Sequence, residues 1–165
     1  MTERTWPDLA YDAWADTCQT LHRWTQVVGK IRLVQSPYVN HTWHCPLYLT
    51  TRGLTTSPIP HGDRLFSIDF DFVSHRLIIQ PADDEPCVRP LEPMSVAAFY
   101  ARIMQSLEDL GLPVSIYTTP NEIPDAVPLD RDEVHAAYDA AAERFWRALL
   151  QMDRVLKRFR SRFIG

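Results

Sequence analysis

The segment 65–72 constrains this chain more than any other. Phe66, Ile68, Phe70 and Phe72 alternate with Ser67, Asp69 and Asp71, and a strand, with its period of two, puts all four apolar side chains on one face. Ser74-His75 then turns the chain into Arg76-Leu-Ile-Ile-Gln80. In that hairpin Phe72 faces Leu77 and Phe70 faces Ile79, so both strands aim their apolar residues the same way. A sheet with one strongly apolar face needs helices to cover it.

Helical spacing supplies them. From Leu9 to about Leu33 the apolar positions Trp14, Cys18, Leu21, Trp24 and Val28 recur at helical intervals, with Asp8 or Asp12 as N-cap. Gly29 is either interior to this helix or its end, leaving Ile31 and Leu33 extended before Pro37. Ser95 caps a second helix through Val96, Phe99, Ile103, Leu107 and Leu110, with Gly111 just past its end. A last helix runs over 140–163 through Phe145, Leu149, Met152, Leu156, Phe159 and Phe163. Trp43–Thr51 alternates like a strand, Arg52-Gly53 turns it into 54–57, and Pro58 and Pro60 end the pairing. Pro113–Tyr117 reads as a further short strand. Residues 118–133, with Pro120, Pro124 and Pro128, form an ordered but irregular connection. The expectation is a single α+β domain over 1–165: a mostly antiparallel sheet of four to five strands with helices packed on one face.

Composition limits the function classes. The chain has 165 residues, 45% hydrophobic and 18 aromatic in all, ample apolar area to offset the entropy of ordering. No apolar run approaches the ~20 residues that cross a bilayer, and the N-terminal residues carry no secretory apolar stretch. Cys18, Cys45 and Cys87 form no C-x-x-C pair, so a reducing cytoplasm is the expected compartment. The net charge of −4 conceals an asymmetry, because residues 1–153 carry −9 and residues 154–165 carry +5. Nucleic acid is not the expected partner. The interleaved Phe159 and Phe163 instead mark an apolar stripe on the basic helix that wants a protein surface.

The polar side of the sheet gathers residue types that bind ligands or move protons: His44, Tyr48, Thr50, Thr55, Ser57, Asp69 and Asp71, with Arg52 and Arg76 at strand ends. The plain alternative is a solvated sheet face. Asp69 and Asp71 stand about 7 Å apart on one face, which suits an acid/base pair or ordinary pairing with Arg52 or Arg76. The H-x-x-H of His41 and His44 sends its imidazoles to opposite faces of a strand. A metal set would therefore draw on His44, Asp69 and Asp71 with His61 or His75, and neither metal nor cofactor is fixed by these residues. Ser57 with His44 as base lacks a G-x-S-x-G elbow. On the first helix His22, Gln26 and Lys30 fall at i, i+4 and i+8, and they enter the same pocket if that edge borders the sheet.

The candidate catalytic residues are thus His44, Tyr48, Asp69 and Asp71, and the candidate ligand-binding residues are His22, Asn40, Arg52 and Thr55. Arg52 would hold an anionic group, His44 would transfer a proton or ligate, and Tyr48 would donate. The expected function is binding or conversion of a small anionic molecule. The rival is a non-catalytic interaction module in which helix 145–163 docks a second copy or a partner half.

A set of short motifs resembles one bacterial family: Thr20-Leu-His22, Gln26-Val-Val-Gly-Lys30, Asn40-His41, Trp43-His44, Pro46-Leu-Tyr48, Arg52-Gly-Leu-Thr-Thr56, Pro58-Ile-Pro60, Phe70-Asp-Phe72, His75, His135, Tyr138-Asp139 and Phe145-Trp-Arg147. This is the family of domains of unknown function numbered 5996. The resemblance brings no established activity. It implies that similar chains run to about twice this length and that this one corresponds to their N-terminal half. Thr42, Cys45 and His61 stand where tryptophan, valine and tyrosine are common in the family.

Overall fold

A computed structural model describes residues 6–163. A 3-10 turn at Tyr11–Ala13 leads into α1 (Ala15–Gln35). Six strands follow: β1 (Tyr48–Leu49), β2 (Gly53–Thr55), β3 (Ile59–His61), β4 (Arg64–Asp71), β5 (Arg76–Pro81) and β6 (Cys87–Pro90). Helices α2 (Val96–Asp109) and α3 (Ala141–Arg160) complete the described elements. The strands form one antiparallel sheet in the order β1-β2-β4-β5-β6, with β3 also paired to β4. The fold is α+β, with one strand more than the sequence leads one to expect.

The alternating segment is β4, and it pairs with β5 as Phe70↔Leu77 and Ile68↔Ile79. This is a two-residue slip from the expected register. The turn takes in all of 72–75 because Asp71 caps it, accepting from the N–H groups of Val73 and Ser74, each at 3.0 Å. A slip of two preserves the faces, so Phe66, Ile68, Phe70, Leu77 and Ile79 are all buried. Helix α1 covers that face through Trp24, which stacks on Phe99 of α2 at 4.5 Å and on Tyr138 at 5.4 Å.

Several local expectations are corrected. Helix α1 begins after Trp14 with no side-chain cap, so neither Asp8 nor Asp12 serves. It runs straight through Gly29 to Gln35, because burial of Val27, Val28 and Ile31 outweighs the propensity cost of one glycine. The 43–51 strand shrinks to Tyr48–Leu49. His41 and Thr42 adopt φ of +55° in a 3-10 turn, which leaves Trp43 70% exposed. The β1–β2 turn centres on Thr51-Arg52, with the Thr50 N–H donating to Gly53 O at 2.9 Å. Gly53 itself opens β2, where a Cβ would lie 1.7 Å from Phe70 O. Pro60 does not end pairing. It lies within β3 opposite Leu65, at a sheet edge where its missing N–H costs nothing.

Further along, Ser95 Oγ caps α2 by accepting from the Ala98 N–H at 3.1 Å, and Gly111 takes φ +68° beyond its end, both as expected. Pro113–Tyr117 is not a strand, since no ladder forms along it. The 118–133 connection is irregular, as expected, and buries Leu129. It is also tied to the helices by a buried ion pair that sequence reasoning did not find, Arg23 to Asp132 at 3.2 Å. Helix α3 is anchored at its first turns by Ala141, Ala142 and Trp146, whose Nε1 donates to Thr50 O at 3.1 Å. No helix among the described residues is long and apolar enough to cross a membrane.

Candidate functional site

The eight residues expected to share a pocket do not meet. Asp71 is a structural group: besides the turn N–H groups it accepts from Arg52 Nε and from Ser74 Oγ, each at 2.7 Å. Burial alone would raise its pKa, but the hydrogen bonds from Arg52, Ser74 and Val73 overcome this and hold the carboxyl at about 2. Arg52 is thereby engaged at the β4–β5 turn. Thr55 Oγ1 accepts from the Ser57 N–H. Asp69 is half-buried on the outer sheet face opposite Thr55, with Oδ1 lacking a hydrogen-bond partner among the described residues. His44 is buried outside the strands, its Nδ1 accepting from the Val39 N–H at 3.1 Å. Asn40 is exposed in the neighbouring turn, and Tyr48 is exposed beneath the Arg32 guanidinium, 5.0 Å from its ring centre.

The metal set disperses in the same way. His61 bonds Gln35 at 3.0 Å and His75 bonds the Tyr138 hydroxyl at 2.9 Å. Among the described residues no group of three or more His, Cys, Asp or Glu side chains converges on one point.

The stripe on α1 has a different fate. His22, Gln26 and Lys30 all line a cavity of about 520 Å³ together with Thr25, Gly29 and Leu33 of the same helix. Its opposite walls come from Thr42, Cys45, Leu47 and Leu54, from Asn121 and Glu122 of the irregular connection, and from Phe145 and Leu149 of α3. This volume falls within the range of small-molecule sites. The polar residues cluster around Asn121. Gln26 grips its backbone twice, with Nε2 donating to the carbonyl at 3.0 Å and Oε1 accepting from the N–H at 2.9 Å. Lys30 Nζ donates to Asn121 Oδ1 at 3.1 Å, and His22 Nε2 lies 3.2 Å from Gln26 Nε2.

Lys30 sits deep in this arrangement and His22, Asn121 and Glu122 sit at its rim, judged by their exposure. The Lys30 side chain is buried, with its ammonium 5.6 Å from the centre of the Tyr117 ring. Burial pushes its pKa below the usual lysine value, an effect that Tyr117 and Cys45 partly oppose. Lys30 makes no ion pair with a carboxylate among the described residues. Cys45 is a half-buried free thiol whose pKa burial raises, with Arg32 and Lys30 pulling the other way. Leu33, Leu47, Leu54, Phe145 and Leu149 supply an apolar floor. Of the eight expected residues only His22 lines this cavity. Its companions Gln26 and Lys30 were visible as a helical stripe, whereas Asn121, Glu122 and Cys45 carry no local pattern that marks them.

The profile of a family of unknown function (DUF5996) matches residues 6–165. The chain belongs to this family. No curated protein and no solved structure matches it. Family membership therefore brings no activity, and the chemistry of the α1 cavity has to be read from its own residues.

Proposed function

We propose that this chain binds a small anionic molecule with an apolar body in the α1 cavity, rather than on the polar sheet face. The observation that carries the reading is Lys30: a lysine buried along its stem, its ammonium lining a concave site with one neutral acceptor and no carboxylate partner among the described residues. Buried charges in proteins are ordinarily paired, and an incoming carboxylate or phosphate would complete this one. His22, at i−8 on the same helix face, offers a further polar contact, while Gln26 between them is taken up by Asn121 and His22. The leucines and Phe145 would take the apolar part of the ligand. The clamp of Gln26 on the Asn121 backbone holds the rim in place before binding, which lowers the ordering cost of association. Three free, half-buried cysteines fit a reducing bacterial cytoplasm as the working compartment.

A melting screen tests this. Small carboxylates and phosphates of increasing apolar bulk are added to the wild type, Lys30→Met and Asp69→Asn. The reading requires anions that raise the melting temperature of the wild type and Asp69→Asn but not of Lys30→Met. An anion that stabilises all three equally, or that loses its effect only in Asp69→Asn, would refute it.

A further inference from the structure

Helix α3 is two helices in its surroundings. Phe145, Leu149, Met152, Leu156, Phe159 and Phe163 follow one another at intervals of four, three, four, three and four, the heptad seam of helices that pack side by side. The first two pack against this chain's own core. The remaining four are 48, 64, 61 and 68% exposed. Phe163 folds back edge-to-face on Phe159 with ring centroids 4.9 Å apart, extending the stripe past the last helical turn. Trp6 does not cover it, because Trp6 lies by the flank made of Gln151, Arg154, Val155 and Arg158. A seam that begins in the core and continues unoccupied among the described residues asks for a second helix.

The charges beside the seam select that helix. The flanking positions on one side of the stripe are Asp153 and Arg160, and on the other Val155 and Arg162. Antiparallel pairing with the same segment of another copy sets Leu156 against the partner's Phe159 and Met152 against the partner's Phe163. Flanking positions then meet their own kind, so Asp153 faces the partner's Arg160, twice by symmetry. Arg154, Lys157 and Arg158 point away from the seam, so they do not confront one another. A parallel, in-register pair would instead place Arg160 beside Val155 and leave Asp153 without a cation across the seam. An anionic lipid surface would attract Arg160 and Arg162 beside the stripe but repel Asp153, whereas the antiparallel pair gives Asp153 a cation as well.

We infer that the exposed half of α3 is a self-association surface, on which two copies of this chain pair antiparallel about a two-fold axis through the seam between Leu156 and Phe159. The pairing is isologous and closed. Four layers make a small interface, so the dimer forms reversibly with concentration. Asp153, which bonds Lys157 of its own helix at 2.7 Å, is shared between that lysine and the partner's Arg160.

Sedimentation equilibrium of the full chain, in low salt and from micromolar to near-millimolar concentration, tests the inference. The wild type should pass from monomer to dimer mass. Leu156→Glu, Asp153→Arg and Arg160→Asp should each weaken association about tenfold or more, with melting temperatures close to wild type at concentrations where all are monomeric, because these side chains lie outside the core. The double variant Asp153→Arg/Arg160→Asp should recover most of the lost association, since it exchanges the partners of an antiparallel pair. A wild type that stays monomeric throughout would overturn the inference, even if it sediments with phosphatidylserine vesicles. So would a Leu156→Glu variant that dimerises as well as wild type. A double variant no better than its single parents would overturn the antiparallel arrangement.

Discussion

Replacing Asp71 by Asn isolates the turn that sets the sheet register. Asn Oδ1 can still accept from the Val73 and Ser74 N–H groups, but its amide cannot accept from Arg52 Nε or Ser74 Oγ, both now 2.7 Å away. The displacement of the Asp71 pKa from 3.8 to about 2 measures what the charged form gains on folding. At about 1.4 kcal/mol for each pH unit this amounts to about 2 kcal/mol. Because the folded pKa is the lower one, that stability is complete above pH ~4 and is lost as pH falls towards 2. Asp71→Asn should therefore be about 2 kcal/mol less stable than wild type at pH 7, with the gap closing progressively below pH 4. Urea unfolding of both proteins at pH 7, 5, 4 and 3 measures it. A gap that is already absent at pH 7, or one that stays constant down to pH 3, would refute the assignment of Asp71 as a charged turn cap.

Two glycines make opposite predictions. Gly53→Ala places a Cβ 1.7 Å from the Phe70 carbonyl oxygen, so β2 must part from β4, and a loss of about 3 kcal/mol or more is expected in urea unfolding; an unchanged midpoint would contradict the close approach. Gly29→Ala meets only Cys45 O, at an ordinary 3.7 Å, in the middle of a helix. It should gain roughly 0.5–1 kcal/mol and raise the melting temperature by about 2–3 °C, whereas destabilisation would show that the glycine is there for space.

The strand at the centre of the sheet was legible because eight alternating residues admit one period. Its register was not, because Asp71 reads in the sequence as a reactive carboxylate, while three of its four donors belong to the turn that follows it. The same ambiguity misplaced the site. Residues that bond ligands also cap turns and brace loops, and Asp71, Arg52, Thr55 and His44 all satisfy neighbours within about twenty positions along the chain. Trp43–Thr51 alternates in polarity, yet positive φ at His41 and Thr42 turns the chain before pairing can start. The α1 stripe could be read from its i+4 spacing alone. Its partner Asn121 lies 91 residues beyond Lys30 in a proline-rich connection, and an irregular loop has no periodicity from which such a contact could be foreseen.

Entry of an anion into the α1 cavity can be observed residue by residue. Residue-resolved NMR titration of the isotopically labelled chain, with the anion that most raises the wild-type melting temperature, tests it most directly. The side-chain resonances of His22, Gln26 and Lys30 and the amide of Asn121 should move together with a single dissociation constant. Tyr48, Thr55 and Asp69 on the sheet should stay in place. Shifts confined to the sheet residues, or scattered over the surface without saturation, would contradict it.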